Sequence, residues 1–196
     1  MSRRRTTRKM PDWDALYGIA EAQSGHFTTA QAAAAGYSSQ LLHKYVASGR
    51  IVRVRRGIYR ITHFPAADRE DLVVLWLWGE QAGVFSHQTA LALHDLSDDL
   101  PAKVHMTVPR AWAERRLRVP KGLVLHFADL VDREWEWLEA VPITSLGRTL
   151  LDCIDAHLAP DLLRQALKQA RARGLVSRSE SASVGKRLAT VLKGTR

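Results

Sequence analysis

The segment Thr28–Ile61, TTAQAAAAGYSSQLLHKYVASGRIVRVRRGIYRI, constrains the fold more than any other part of the chain. Thr28 and Gln31 have the T-x-x-Q spacing of a capping box, in which two side chains satisfy free amides at a helix start. Phe27 and Ala32 flank it as a hydrophobic staple, and Gly36 ends the helix where a left-handed residue is needed. Ser38 caps a second helix that Gly49 closes. In that helix Leu42, Tyr45 and Val46 fall on one face at i, i+3, i+4, leaving Ser39, Gln40, His43, Lys44 and Ala47 outward. An alternating strand follows, expected to carry Val52 and Val54 on one side and Arg53 and Arg55 on the other. Arg56-Gly57 makes the turn, and Ile58–Ile61 returns.

Two short helices and an arginine-rich hairpin predict a winged helix-turn-helix, whose second helix enters the major groove of DNA. On this reading Gln40, His43 and Lys44 face base edges, and Ser39 and Thr28 belong to the same DNA-binding set. Arg53, Arg55 and Arg56 hold phosphates or enter a minor groove. The alternative is an ordinary helical hairpin and β-hairpin with a solvated basic face.

Charge follows the same division. The net charge is +9 over 196 residues, but Met1–Thr62 carries eleven Lys/Arg against three Asp/Glu. His63–Ala159 carries nine against fifteen, and Pro160–Arg196 nine against two. A basic head that coincides with the helix-turn-helix is what neutralising phosphates requires, so double-stranded DNA is the expected partner. One cysteine, Cys153, in an apolar run excludes a disulfide framework and points to a reducing, cytoplasmic compartment. The most apolar stretch, Leu72–Gly79, is too short to cross a bilayer, and Ser2-Arg-Arg-Arg is followed by no apolar signal core.

The expected organisation is α+β. A basic arm spans 1–11, the winged helix-turn-helix 12–64, and a mixed α/β domain ending in basic helices 65–196. Pro11-Asp12 opens a first helix with Trp13, Leu16, Ile19 and Ala20 on its apolar stripe, and Gly25 ends it. His63–Asp68 is the linker, and Asp68 caps a core helix from Arg69 to about Gln81. A short helix starts at Ser86, and strands run over Val104–Val108 and Leu123–Phe127. Helices follow from about Ser145 to Ala156 and from Asp161 to Arg173, and a second capping box, Ser177 and Glu180, opens the last. The connection between the two strands carries Arg110, Arg115, Arg116, Arg118 and Lys121, either a solvated loop or a second phosphate- or partner-binding patch.

No enzyme chemistry is legible. His87 and His94 are seven apart, too far along a helix to share one ion, and His105 and His126 lie on strands without neighbouring cysteines, so no metal site and no convergence of these histidines is expected. The acids Asp95, Asp98, Asp99, Asp129, Asp132 and Glu134 raise a nuclease reading, but no strand carries Glu-x-Lys. Phosphate loops, nucleophile elbows and paired Cys–His motifs are missing from the sequence. No catalytic residue and no cofactor is expected.

The order of features resembles the AbiEi-type antitoxins of bacterial type IV toxin–antitoxin systems. The matching pieces are the G-R-I-V-R-V-R-R-G-I-Y wing, Ser86-His87 with Ala90-Leu91 and Leu93-His94, His105-Met-Thr-Val-Pro, and Pro142-Ile-Thr-Ser-Leu-Gly-Arg-Thr-Leu-Leu-Asp. Arg173-Gly174-Leu175 also fits. The resemblance implies a head that represses its own operon at inverted repeats and a C-terminal domain needed for antitoxin action. Its counterpart would be a nucleotidyltransferase-like toxin, opposed without a stable complex. The outer face of the second helix is poorer in arginine than that family leads one to expect, which shifts base readout toward amides and the wing. Arg148 and Asp152 are expected to pair across one helical turn. The rival readings are a stand-alone winged-helix regulator whose second domain senses a ligand and, further off, a nuclease.

Overall fold

A computed structural model describes residues 10–97 and 101–194, with side chains to Val191. The basic arm at Met1–Lys9 and the acids Asp98 and Asp99 lie outside the described residues. The chain divides into two compact units, Met1–Gln81 and Ala82–Arg196.

The first unit contains α1 (Trp13–Glu21), β1 (His26–Thr28), α2 (Thr29–Ala34), α3 (Ser39–Ala47), β2 (Ile51–Arg55), β3 (Ile58–Ile61) and α4 (Glu70–Trp78). Three caps act as their side chains dictate. Asp12 accepts from the Ala15 amide, Thr28 and Gln31 bond reciprocally, and Ser38 accepts from the Leu41 amide. The strands form an antiparallel sheet in the order β1–β3–β2. β1 adds a strand to the expected hairpin: three residues are too few to show a period, and only pairing with β3 makes His26–Thr28 extended. Leu16, Ala20, Phe27, Ala32, Leu42, Ile51 and Ile61 form the core, with Phe27 stacked on Tyr59 at 5.7 Å. Gly25, at φ +82°, passes Phe64 so closely that a Cβ would lie 2.6 Å from its ring.

Val52 and Val54 are 43% and 45% exposed, not core, and Trp13 is 36% exposed. Ile51 takes the inward position of β2, so Val52 falls outward by simple alternation, and a bulge between Arg53, paired with Tyr59, and Arg55, paired with Ile58, breaks the alternation at Val54. Ile51, Ile58 and Ile61 take the buried positions instead.

The division after Gln81 also differs from a boundary near residue 64, because α4 packs on β1 and β3 of the first unit. Leu72, Val73, Val74, Trp76 and Leu77 of α4 are buried. Its start is not capped by Asp68. Arg69 occupies the cap in the left-handed region at φ 62°, and the Glu70 carboxylate reaches back to the Ala67 amide at 3.0 Å. The same carboxylate holds Arg60 of β3 bidentately, at 2.8 and 3.0 Å. That pairing keeps Glu70 below the usual carboxylate range, with the Arg60 hydrogen bond the largest cause.

The second unit contains β4 (Val84–Phe85), α5 (His87–Leu93), β5 (Val104–Val108), β6 (Leu123–Phe127), β7 (Trp135–Leu138), β8 (Val141–Thr144), α6 (Leu146–Asp155), α7 (Pro160–Ala172) and α8 (Arg178–Gly194), with 3-10 turns at Arg110–Glu114 and Asp132–Glu134. Its five-stranded sheet runs β6–β5–β4–β8–β7. The pairs β5/β6 and β4/β8 are parallel, the others antiparallel. The tryptophan-rich stretch WEWLEAVPIT, to which the sequence assigned no element, is the β7–β8 hairpin. Val141–Thr144 is buried throughout, and Trp137 on the edge strand is exposed. Leu91, Leu150, Cys153, Ile154, Leu163, Ala166 and Val184 bring α5, α6, α7 and α8 together into one core. Ser177 and Glu180 form the capping box of α8.

Candidate nucleic-acid interface

The interface is built from α3 outward. Burying Leu42 turns the opposite face of the helix to solvent, and Ser39, Gln40, His43, Lys44 and Ala47 are all exposed there. The hairpin follows after a three-residue turn, and Arg53, Arg55 and Arg56 are exposed on and beside it. Among the described residues none of these three guanidiniums forms an ion pair. Gly57 closes the tip at φ +77°, and its carbonyl accepts from the Thr29 amide and hydroxyl at 2.9 and 3.3 Å. The hairpin tip is thereby pinned to the first turn of α2. Thr28 is half-buried, and its hydroxyl is engaged as the cap of α2.

Arg60 is the arginine of this hairpin that faces inward. It lies 14% exposed against Glu70 and also donates to the Ile61, Phe64 and Pro65 carbonyls. His26 lies behind it, its Nε2 4.0 Å from Glu70, with its basicity lowered by burial. Arg60 stands outside the DNA-binding set expected from the sequence, but its partner was not foreseen there, since it stands ten residues away on another element.

In the second unit Arg110, Arg115, Arg116, Arg118 and Lys121 are all exposed between β5 and β6. The Arg110 amide donates to Asp129 at 3.0 Å, and the Arg115 guanidinium lies 3.9 Å over the Trp112 ring. Arg148 and Asp152 pair at 2.7 Å, and Glu134 joins them at 3.1 Å. One Asp152 oxygen is buried without a partner, and burial raises this carboxyl above its usual range.

The histidines correct the expectation that nothing among them converges. β5 and β6 pair in parallel with His105 opposite Val124 and Thr107 opposite His126, and α5 begins beside them. His87 therefore stacks on His126 with ring centres 3.5 Å apart, and His105 Nδ1 meets His126 Nε2 at 3.0 Å in an N–H···N hydrogen bond. Ser86 links His87 Nδ1 at 2.9 Å to the Thr107 hydroxyl at 2.8 Å. His87 itself is held at φ 54°. Burial is the main cause that pushes His87 down to about 3 and His126 down to about 4, and it lowers His105 as well. Lys103 lowers His105 further and Arg148 lowers His87 further by their positive charge. The rings lie face to face, and among the described residues no three His, Cys, Asp or Glu side chains are arranged to hold one metal ion. His94 is a separate, structural histidine whose Nε2 donates to the Thr144 carbonyl at 2.9 Å.

A polar helix face beside a hairpin of free guanidiniums is the surface that DNA-binding regulators present. The comparison with protein families agrees in class. Residues 16–62 match the model of a family described as transcriptional regulator, AbiEi antitoxin. The match runs from within α1 to just past the end of β3, and the second unit lies outside it. No curated protein matched the chain. Among the described residues no helix is long and apolar enough to cross a membrane.

Proposed function

We propose that the chain is a DNA-binding antitoxin of a type IV toxin–antitoxin system, working in the cytoplasm, with a winged helix-turn-helix at its head. It represses its own operon and counteracts a nucleotidyltransferase-like toxin without forming a stable complex with it. The observation that carries the DNA-binding part is the exposed row Ser39, Gln40, His43 and Lys44 on α3 beside Arg53, Arg55 and Arg56, inside the segment that matches the regulator family. Gln40 has the amide geometry to pair bidentately with adenine, and Lys44 follows one turn later on the same face. The wing arginines neutralise phosphates and thereby set register. Thr28, whose hydroxyl accepts from the Gln31 amide as the cap of α2, sets the start of that helix beside the DNA-binding row. The loop Arg110–Lys121 supplies a second phosphate-contacting patch.

The antitoxin part rests on the family match in the head and on the resemblance of the second-domain motifs. A mobility-shift titration of the full chain on the DNA upstream of its own gene tests the first part, with the same titration on scrambled DNA. Tighter binding to the upstream fragment, by at least a hundredfold, is expected. Equal affinity for both would remove operator recognition. Co-expression with the product of the adjacent gene tests the second part. Growth that stays arrested with the full chain present would remove the antitoxin assignment.

A further inference from the structure

The first unit contains a cavity of about 500 Å³ where α3 ends and β2 begins. Trp13, Tyr45, Arg50, Ile61 and His63 line it, so α1, α3 and the end of β3 all contribute. A cavity of this volume suits a small organic molecule. Its walls are aromatic. Trp13 and Tyr45 stand 6.1 Å apart, centre to centre, inclined at 53°, and Tyr37 supports Tyr45 edge-on at 5.7 Å. Over Gly49, at φ +71°, nothing lies within 4 Å of where a Cβ would stand, so the turn leaves open space.

The polar capacity of the cavity is specific in sign. Three carbonyls around the end of α3 are already engaged. Tyr45 O accepts from the Ser48 hydroxyl and the Arg50 amide, Val46 O from the Gly49 amide, and Gly49 O from the Thr62 hydroxyl. The charged donor that lines the cavity is the Arg50 guanidinium, and the His63 imidazole adds a further ring N–H. Among the described residues neither is engaged by a carboxylate. The Arg50 guanidinium lies over the Tyr45 ring, 5.2 Å from its centre. An aromatic carboxylate lying against Trp13 in the same cavity would present its charge to that guanidinium, which matches a carboxylate in shape and charge.

We propose that this cavity binds a planar aromatic carboxylate and that its occupancy changes the affinity of the head for DNA. The second half rests on the DNA-binding reading above. Tyr45 lies on the helix that carries Gln40, His43 and Lys44, and Ile61 ends the strand that returns from Arg53, Arg55 and Arg56. A ligand touching both Tyr45 and Ile61 therefore acts on the relative placement of reading helix and wing, and it shifts DNA affinity only as far as it prefers one placement.

The test uses the full chain and three probes of one shape: 1-naphthoate, naphthalene-1-methanol and 1-naphthylmethylamine. Calorimetry gives affinities, and nitrogen-edited spectra follow the Trp13 indole and the His63 amide. Naphthoate should bind at least tenfold tighter than the alcohol, with the Trp13 and His63 signals moving. Arg50→Gln, at an exposed position, should abolish that preference with an unchanged far-ultraviolet spectrum, and His63→Gln should reduce it. Equal affinities for all three probes, or signals moving elsewhere only, overturn the site. Saturating naphthoate should change the DNA dissociation constant at least threefold in the native chain and leave Arg50→Gln unaffected. An unchanged constant overturns the coupling. A chain that binds no DNA without any probe overturns the DNA-binding reading and the coupling with it, while the naphthoate titration still decides the cavity.

Discussion

Acid should unfold the second unit through its histidine cluster, and the size of the effect follows from the geometry. Unfolded histidine titrates near 6.5, whereas His87 and His126 in the folded chain are held at about 3 and about 4. A depressed folded value means that the unfolded chain binds more protons. Stability is therefore complete above pH 6.5 and is lost as pH falls from 6.5 toward 4 and 3. At pH 5 each histidine has passed through about 1.5 units of that interval, at about 1.4 kcal/mol per unit. Two fully buried groups would contribute about 4 kcal/mol. His87 is buried but His126 and His105 are only half-buried, and solvent screening reduces the sum to about 2–3 kcal/mol. That is a large fraction of a typical 5–15 kcal/mol stability. Holding pH at 5 or above keeps the lowered carboxyls Glu70, Glu134 and Glu180 outside their own titration range. Asp152, raised by burial, works in the opposite direction and is common to every variant compared.

The assay is urea unfolding at pH 7, 6 and 5. The native chain is set against a double variant, His87→Asn with His126→Gln. Asparagine tolerates the left-handed backbone of position 87, and glutamine keeps a hydrogen-bonding partner for His105. The native midpoint should fall on acidification, and the double variant should lose most of that dependence at some cost in stability at pH 7. An equal midpoint at pH 7 and 5 in the native chain would refute the reasoning. So would an undiminished drop in the double variant, which would move the acid sensitivity to other groups such as His26, also lowered by burial.

Four further outcomes are expected. Replacing Arg53, Arg55 and Arg56 together with alanine should weaken binding to all DNA and flatten the slope of log K against log salt by about 0.9 per lost phosphate contact, as measured by salt titration. Gln40→Ala should cost about 1–3 kcal/mol at one base position and spare random DNA, and equal losses on both would make Gln40 a positioning residue. Arg60→Ala should leave the salt slope unchanged but destabilise the head by about 2–4 kcal/mol, because Glu70 keeps its half-buried charge without a partner, as read by urea unfolding. A fragment ending at Gln81 should unfold cooperatively and bind DNA. One ending at Pro65 removes the buried apolar face of α4 and the Glu70 partner of Arg60, and should melt far lower or not fold.

Much of the head was legible in the sequence because its signals are local. A capping box spans three residues, a helix face repeats every three to four, and Gly57 closes a turn by its own backbone freedom, so Thr28, Gln31, Leu42 and Gly57 announce their structure without distant information. The outward face of α3 followed from the same period, and the Arg148–Asp152 pair from helical spacing. Tertiary structure decided the rest. Which face of β2 is buried waited on the packing of Ile51 into the core, and a bulge has no period, so the break at Val54 waited on the pairing of β2 with β3. No role was expected of Arg60 from the sequence, and its pairing with Glu70 exists only because α4 folds back against β3. His87, His105 and His126 are eighteen and twenty-one positions apart along the chain. Only the parallel pairing of β5 with β6, and a helix begun beside them, brings the three rings into one stack. Sequence specifies contacts within a turn or two of helix or along a strand, and contacts between elements exist only after the chain has closed the loops that separate them.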